Sequence, residues 1–239
     1  MARRMVVRIL AAFCLGALAC SETGEVVEPS RSSATPSSQA DARRTIALPA
    51  PRMQSDVSLE EALLRRRSVR EFTDEPLTLE EISQLLWAAQ GITAEWGGRT
   101  APSAGALYPL EVYVTTPDGF YHYLPDGHRF EMLSRADLRG PLALAALGQT
   151  AVSDAPVVFV IAAAYERTAA KYGERAARYV HLEAGHAAQN VLLQAVALGL
   201  AGVPIGAFDD ADVQRVLGLP PDQAPLYLIP VGHAAPGAA

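Results

Sequence analysis

The stretch from His181 to Leu200 is rich in Ala, Leu and Gln, reaches Gly199 near its end, and is apolar on several faces. A helix of that length without a clear polar side reads as buried, either in a core or at a seam between subunits. The other elements must pack around it. The best partner is Val157-Val158-Phe159-Val160-Ile161-Ala162-Ala163, a dense β-branched and aromatic run bounded by Ala155-Pro156, which reads as a central strand. With 239 residues, half of them hydrophobic, the chain supports one substantial core and needs no second domain.

Local signals place the remaining elements. Ser58 with Glu61 caps a helix over Leu59 to Arg67, and Thr78 with Glu81 caps a stronger one running to Gln90 and stopping near Gly91. Leu110 to Thr116 and Gly119 to Leu124 read as strands joined by the turn at Pro117-Asp118-Gly119. A short helix contains Thr168 to Gly173, another covers Asp209 to Leu217, and Leu226 to Val231 reads as a final strand. Helices interspersed with strands give the class α+β, although this pattern leaves the strand order open.

Charge and cysteine usage remove several functions. With 20 Lys plus Arg against 26 Asp plus Glu, the net charge of -6 offers no general attraction for nucleic acid, so an anionic ligand must be held locally. Both cysteines, Cys14 and Cys20, precede the folding domain, which leaves it without a thiolate nucleophile. The histidines form no metal motif, and His181 and His186 lie five residues apart, off the i,i+4 spacing that shares a helix face. No metal site is expected.

Arg3, Arg4 and Arg8 precede the apolar run Ile9 to Ala19, the pattern of an export signal, and Cys20 directly after Ala19 fits a lipidated cysteine. Residues 1–20 are therefore expected to be a signal with cleavage before Cys20. Residues 21–53 read as a flexible tether, 54–235 as the folded domain and 236–239 as a disordered tail. The protein is expected in the periplasm or cell envelope, attached to the membrane through Cys20.

Two segments carry candidate chemistry. Arg66-Arg67-Ser68-Val69-Arg70 concentrates three cations and a hydroxyl, which reads as an anion clamp or as a solvated basic helix end. Ala101-Pro102-Ser103-Ala104-Gly105-Ala106-Leu107-Tyr108-Pro109 has small side chains that let a flat ring approach closely, or that form a tight turn before the strand at Leu110.

These two segments are followed in order by Glu183-Ala184-Gly185-His186-Ala187-Ala188-Gln189-Asn190, Val203-Pro204-Ile205-Gly206-Ala207-Phe208 and Pro230-Val231-Gly232-His233. Together they resemble the nitroreductase superfamily, most closely its SagB/ThcOx-type FMN-dependent dehydrogenases. The resemblance implies a three-layer α+β fold with a central mixed, mainly antiparallel sheet flanked by helices, assembled as a homodimer with FMN at the subunit interface. It implies that Arg66, Arg67, Ser68 and Arg70 contact FMN, that Pro102, Ser103, Ala104 and Gly105 lie beside it, and that Pro204, Ile205 and Gly206 approach its redox-active edge. Gly232 and His233 would complete the phosphate side. Gln189 is either a flavin contact or a buried amide at the dimer seam. Catalysis would be flavin-centred, tuned by Arg67, Arg70 and Gly206.

The chain departs from the familiar pattern in having no Lys or Arg after Arg215, which shifts phosphate recognition toward His233 and the early arginines. The implied reaction passes hydride or electron pairs between an unknown donor and a small organic acceptor. The alternatives are azoline oxidation and a flavin-binding lipoprotein without turnover. Export conflicts with a soluble nicotinamide donor and with a cytoplasmic peptide substrate.

Overall fold

A computed structural model describes residues 44–238. The signal segment, Cys20 and the tether up to residue 43 lie outside the described residues. In chain order the elements are β1 (Thr45–Ala47), α1 (Leu59–Arg65), α2 (Leu79–Gln90), β2 (Leu110–Thr116), β3 (Gly119–Leu124), β4 (Arg129–Ser134), α3 (Arg139–Ala145), α4 (Thr150–Asp154), β5 (Val157–Ala164), α5 (Tyr165–Tyr172), α6 (Ala176–Ala197), β6 (Ala201–Gly202), α7 (Asp210–Leu217) and β7 (Gln223–Gly232).

The strands form one sheet in the order β1-β4-β3-β2-β5-β7-β6, and every neighbouring pair is antiparallel. The mixed character expected of the sheet is confined to a parallel bridge between Ser68 and Gly202. All eight residues of β5 are buried, because strand period two sends Val157, Phe159, Ile161 and Ala163 to one face and Val158, Val160 and Ala162 to the other. The first face packs on α2 and α6, the second on α3, α4 and α7, giving three layers and the expected α+β class.

The caps hold where the residues announce them: Ser58 accepts from the Glu61 amide, and Thr78 and Glu81 form a reciprocal box. Helix α6 begins at Ala176, five residues before its expected start, and buries Val180, Ala184, Ala187, Ala188, Val191 and Leu192.

The expected tether extends too far into the domain. Thr45–Ala47 pairs with β4, and Ile46 packs against the core, so order begins upstream of residue 54. This short strand is anchored from behind by His128. Ser83 Oγ donates to Pro49 O at 2.7 Å and so accepts from His128 Nε2, while His128 Nδ1 accepts from Tyr123 Oη at 2.9 Å. Burial, opposed by the Pro49 carbonyl, holds the His128 pKa below its ordinary value. The unfolded chain therefore takes up this proton first, and the stability His128 contributes is lost as pH falls from about 6.5. At the other end, Ala238 N–H donates to Ala235 O, so the expected tail begins with a turn.

Candidate functional site

The arginine segment leaves α1 and lies along the end of the sheet. Val69 N–H donates to Gly202 O at 3.2 Å, Thr73 N–H to His233 O at 2.9 Å, and Ala235 N–H to Glu71 O at 3.0 Å. Since β6 pairs Ala201 with Gly232, this edge gathers Ser68, Gly202, Gly232 and His233 from three distant parts of the chain. Two glycines make the approach feasible: a Cβ on Gly202 would lie 2.9 Å from Pro230 O, and one on Gly232 would lie 2.7 Å from Pro156 Cδ. Val69 turns into the core, so Ser68 and Arg70 face outward.

The three arginines are not equivalent. Arg67 Nη1 donates to Leu64 O at 2.9 Å and Arg66 O at 2.8 Å, so its guanidinium serves the end of α1. The side chains of Arg66 and Arg70 make no hydrogen bond or ion pair among the described residues. His233 Nε2 stands 3.8 Å from Glu75 Oε1. A cavity of about 330 Å³ opens here, lined by Arg65, Arg67, Val69, Val196, Gly199 and Gly202. Pro204-Ile205-Gly206 continues along β7: Ile205 exchanges two backbone hydrogen bonds with Leu228, at 2.8 and 3.0 Å, which leaves Gly206 exposed at a fixed position.

The loop Pro102–Gly105 is held elsewhere. Ser103 Oγ accepts from Tyr108 N–H at 2.9 Å, and Gly105, Ala106 and Tyr108 all have positive φ, at 64°, 54° and 47°. Tyr108 is clamped in that conformation. Arg99 lies 4.4 Å above its ring, its hydroxyl accepts from Arg99 N–H, and Arg167 Nη1 donates to its carbonyl. Arg167 also pairs with Glu111, which binds His122 at 2.7 Å. Burial opposes the charge on Glu111, but the hydrogen bonds from His122 and Arg167 prevail and hold its pKa low. Pro102 and Gly105 are exposed and Ala104 is half-buried. Gln189 is exposed and its side chain makes no hydrogen bond among the described residues, whereas Asn190 Nδ2 donates to Thr100 O at 3.4 Å.

Beneath the loop is a group that sequence reasoning did not single out. Glu183 on α6 is 2% exposed, and burial pushes its carboxyl up to about 7 despite the Ser103 hydroxyl and the Arg99 guanidinium, which both favour the charged form. Gln90, 1% exposed, accepts from Arg99 Nη1 at 2.8 Å. Glu183 Oε1 and Gln90 Nε2 have no partner among the described residues. The signal was present: Glu183 falls in phase with Val180, Ala184 and Ala187, a lone carboxylate on a buried stripe.

The two candidate clusters therefore lie at different levels of α6. Ser103 is beside Glu183, while Arg67 shares its cavity with Leu192 and Val196. Nine residues separate Glu183 from Leu192 and thirteen separate it from Val196, roughly 14 to 20 Å along the helix. The cavity holding Arg67 contains no residue of the loop.

A model of the nitroreductase family matches residues 63–233. The chain is 48% identical over 184 residues to a protein of Methanocaldococcus jannaschii provisionally named a nitroreductase, covering 74% of this chain and 92% of that one. It is 29% identical over 181 residues to the NADPH-flavin oxidoreductase of Vibrio harveyi, covering 72% of this chain and 64% of that protein. A crystal structure provisionally assigned as a nitroreductase, from Ralstonia eutropha, superposes with a TM-score of 0.74 at 34% identity, covering 80% of this chain and 90% of the other.

Proposed function

Because the chain belongs to the nitroreductase family of oxidoreductases, we propose that it binds FMN and transfers hydride or electron pairs between a donor and a small organic acceptor. The observation that carries this reading is the sheet edge where the segment Arg66–Arg70 is bridged through Ser68 to Gly202, beside Gly232 and His233. The guanidinium groups of Arg66 and Arg70 have no partner among the described residues, and the glycines keep the backbone bare. That donor set suits a phosphate and the carbonyl oxygens of a flat ring.

FMN, when bound, supplies the redox chemistry. The chain's residues hold and shape the site. Arg66 and Arg70 offer charge-assisted hydrogen bonds, Ser68 adds a hydroxyl, and His233 closes the phosphate side. Ile205, fixed to β7 by both backbone groups, presents the exposed Gly206 backbone toward the ring's edge. Arg67, engaged with the end of α1, contributes field more than direct contact.

The separation of the two clusters along α6 supports a homodimer in which the loop Pro102–Gly105 of one chain flanks the flavin held by the arginine segment of another. Gln189, exposed on α6, belongs to that seam in this reading. Residues 1–20 support placement in the cell envelope with Cys20 lipidated, and there the donor is a membrane electron-transfer partner or another reductant in place of soluble nicotinamide.

Anaerobic titration tests turnover. Donor addition should bleach the flavin absorbance and a quinone or nitroaromatic acceptor should restore it, within one catalytic cycle per bound FMN. Bound FMN that no donor bleaches would instead indicate a flavin-binding lipoprotein. The finer azoline-dehydrogenase reading rests on the ordered runs from Arg66 to His233 taken together, and predicts bleaching by an azoline-containing peptide.

A further inference from the structure

On the face of the sheet turned away from α6, helices α3 and α7 pack over β5 and β7 and leave a cleft of about 690 Å³ between the last turn of α7 and strands β3 and β4. Its lining includes nothing from the arginine segment, the loop Pro102–Gly105 or the Gly206 edge. Apolar walls come from Leu124, Leu133, Leu138, Val216 and Leu219. Leu133 stands there because the register of β3 on β4 jumps between Phe120 and Tyr121, which leaves it as the extra residue of a bulge, 36% exposed.

The floor of the cleft is polar and fixed. Tyr113 stacks between Phe120 and His122, with ring centroids 5.5 and 4.6 Å away, and its hydroxyl donates to Gln223 Oε1 at 2.5 Å. Gln223 is only 8% exposed, and the turn that carries it is held by Gln214 Nε2, which donates to Pro220 O and Gln223 O. With Oε1 engaged, Nε2 keeps both protons, has no partner among the described residues and is not sealed from the cleft. His122 offers the opposite capacity. Glu111 keeps its charge against burial through hydrogen bonds from His122 and Arg167, so it accepts from His122 Nε2–H at 2.7 Å. In the neutral ring Nδ1 then holds a lone pair with no partner among the described residues. Arg215 and Glu131 add one charge of each sign to the lining, and Arg215 is already paired with Asp212 at 2.6 Å, so the cleft has no net pull on an ion.

We propose that this cleft is a second binding site, separate from the flavin, for a neutral planar molecule that carries both a carbonyl and an N–H, as a cyclic amide does. The carbonyl accepts from Gln223 Nε2, the N–H donates to His122 Nδ1, and the ring packs against Leu133 and Val216. Both polar groups are tied to Tyr113, so their spacing is set before the ligand arrives and binding orders little of the protein. The site does not depend on the FMN reading.

The test uses 2-quinolinone and 4-quinolinone, which space the two groups differently, titrated into the protein at about pH 8, where an ordinary imidazole is neutral. At least one should bind with a dissociation constant of about 1 mM or tighter and shift the methyl resonances of Leu133 and Val216. Its N-methyl form, which lacks the donor, should bind about fivefold more weakly, and quinoline, which lacks both groups, about tenfold or more. Gln223→Leu should weaken binding about tenfold, but it also leaves the Tyr113 hydroxyl unpaired and costs stability. Leu133→Arg avoids that: it obstructs the cleft from an exposed bulge, and should abolish binding with the melting temperature within about 2 °C of wild type. Arg66→Ala/Arg70→Ala should bind the probe as wild type does, whether or not it holds FMN. Absence of binding by both quinolinones, binding that Leu133→Arg leaves unchanged, or equal affinity for quinoline overturns the proposal.

Discussion

Removing two guanidinium groups together, as Arg66→Ala/Arg70→Ala, is expected to weaken FMN binding about a thousandfold while shifting the melting temperature of flavin-free protein by no more than about 2 °C. The size follows from two charge-assisted hydrogen-bonding groups at about 2 kcal/mol each, where about 1.4 kcal/mol is a factor of ten. The small stability effect follows from the structure, since neither side chain bonds to any described part of the protein. Arg67→Ala should behave differently. It removes two hydrogen bonds from the end of α1 and so costs about 1 kcal/mol of stability as well as affinity, which makes it the poorer probe of anchoring. Calorimetric titration of both variants checks this, and a double variant that binds FMN within threefold of wild type removes the arginine segment from the site.

Mixed dimers give the second large effect. Gly105→Val introduces a Cβ that meets Tyr172 Oη at 2.8 Å and Lys171 Nζ at 3.0 Å, at φ 64°, where a β-branched residue is strained. The loop should lose its shape, and the homodimer of this variant should bind FMN at least about a hundredfold more weakly than wild type. Co-assembly with the Arg66→Ala/Arg70→Ala chain should then restore half of the sites to wild-type affinity. If each flavin is shared between chains, one site of the mixed dimer carries both defects and the other carries neither. If the segment and the loop serve the same flavin within one chain, each site keeps one defect and no occupancy returns. The separation of roughly 14 to 20 Å along α6 favours the shared arrangement.

Much of the fold was legible because its signals are local. Ser58, Thr78 and Asp209 each cap the helix that follows, and the unbroken apolar run of β5 leaves no alternative to a strand buried on both faces. Strand β4 was not legible: Arg129-Phe130-Glu131-Met132-Leu133-Ser134 carries no β-branched residue, and its extended state comes from pairing with β3 and β1. Helix α3 was hidden by Gly140-Pro141, which suggests a turn, yet proline is tolerated in a first helical turn.

The candidate site divides in the same way. The arginine run, the small-residue loop and the terminal Gly232-His233 were visible as motifs. Their grouping was not, because it depends on a bridge from Ser68 to Gly202 and on the pairing of β6 with β7. The separate roles of Arg66 and Arg67 depend on one turn of backbone geometry at the end of α1. Glu183 lies in the run Glu183–Asn190, where nothing in the neighbouring residues marks it as buried. Its burial follows from the depth of α6 in the core, which no window of neighbouring residues reports.

The most direct measurement is the stoichiometry of FMN in the folded domain. Purified protein spanning the described residues, reconstituted and freed of excess cofactor, should show a flavin absorbance spectrum, release FMN identified by mass, and contain one FMN per chain in a species of twice the chain mass. A protein that melts cooperatively yet takes up no FMN at saturating concentration would contradict the account.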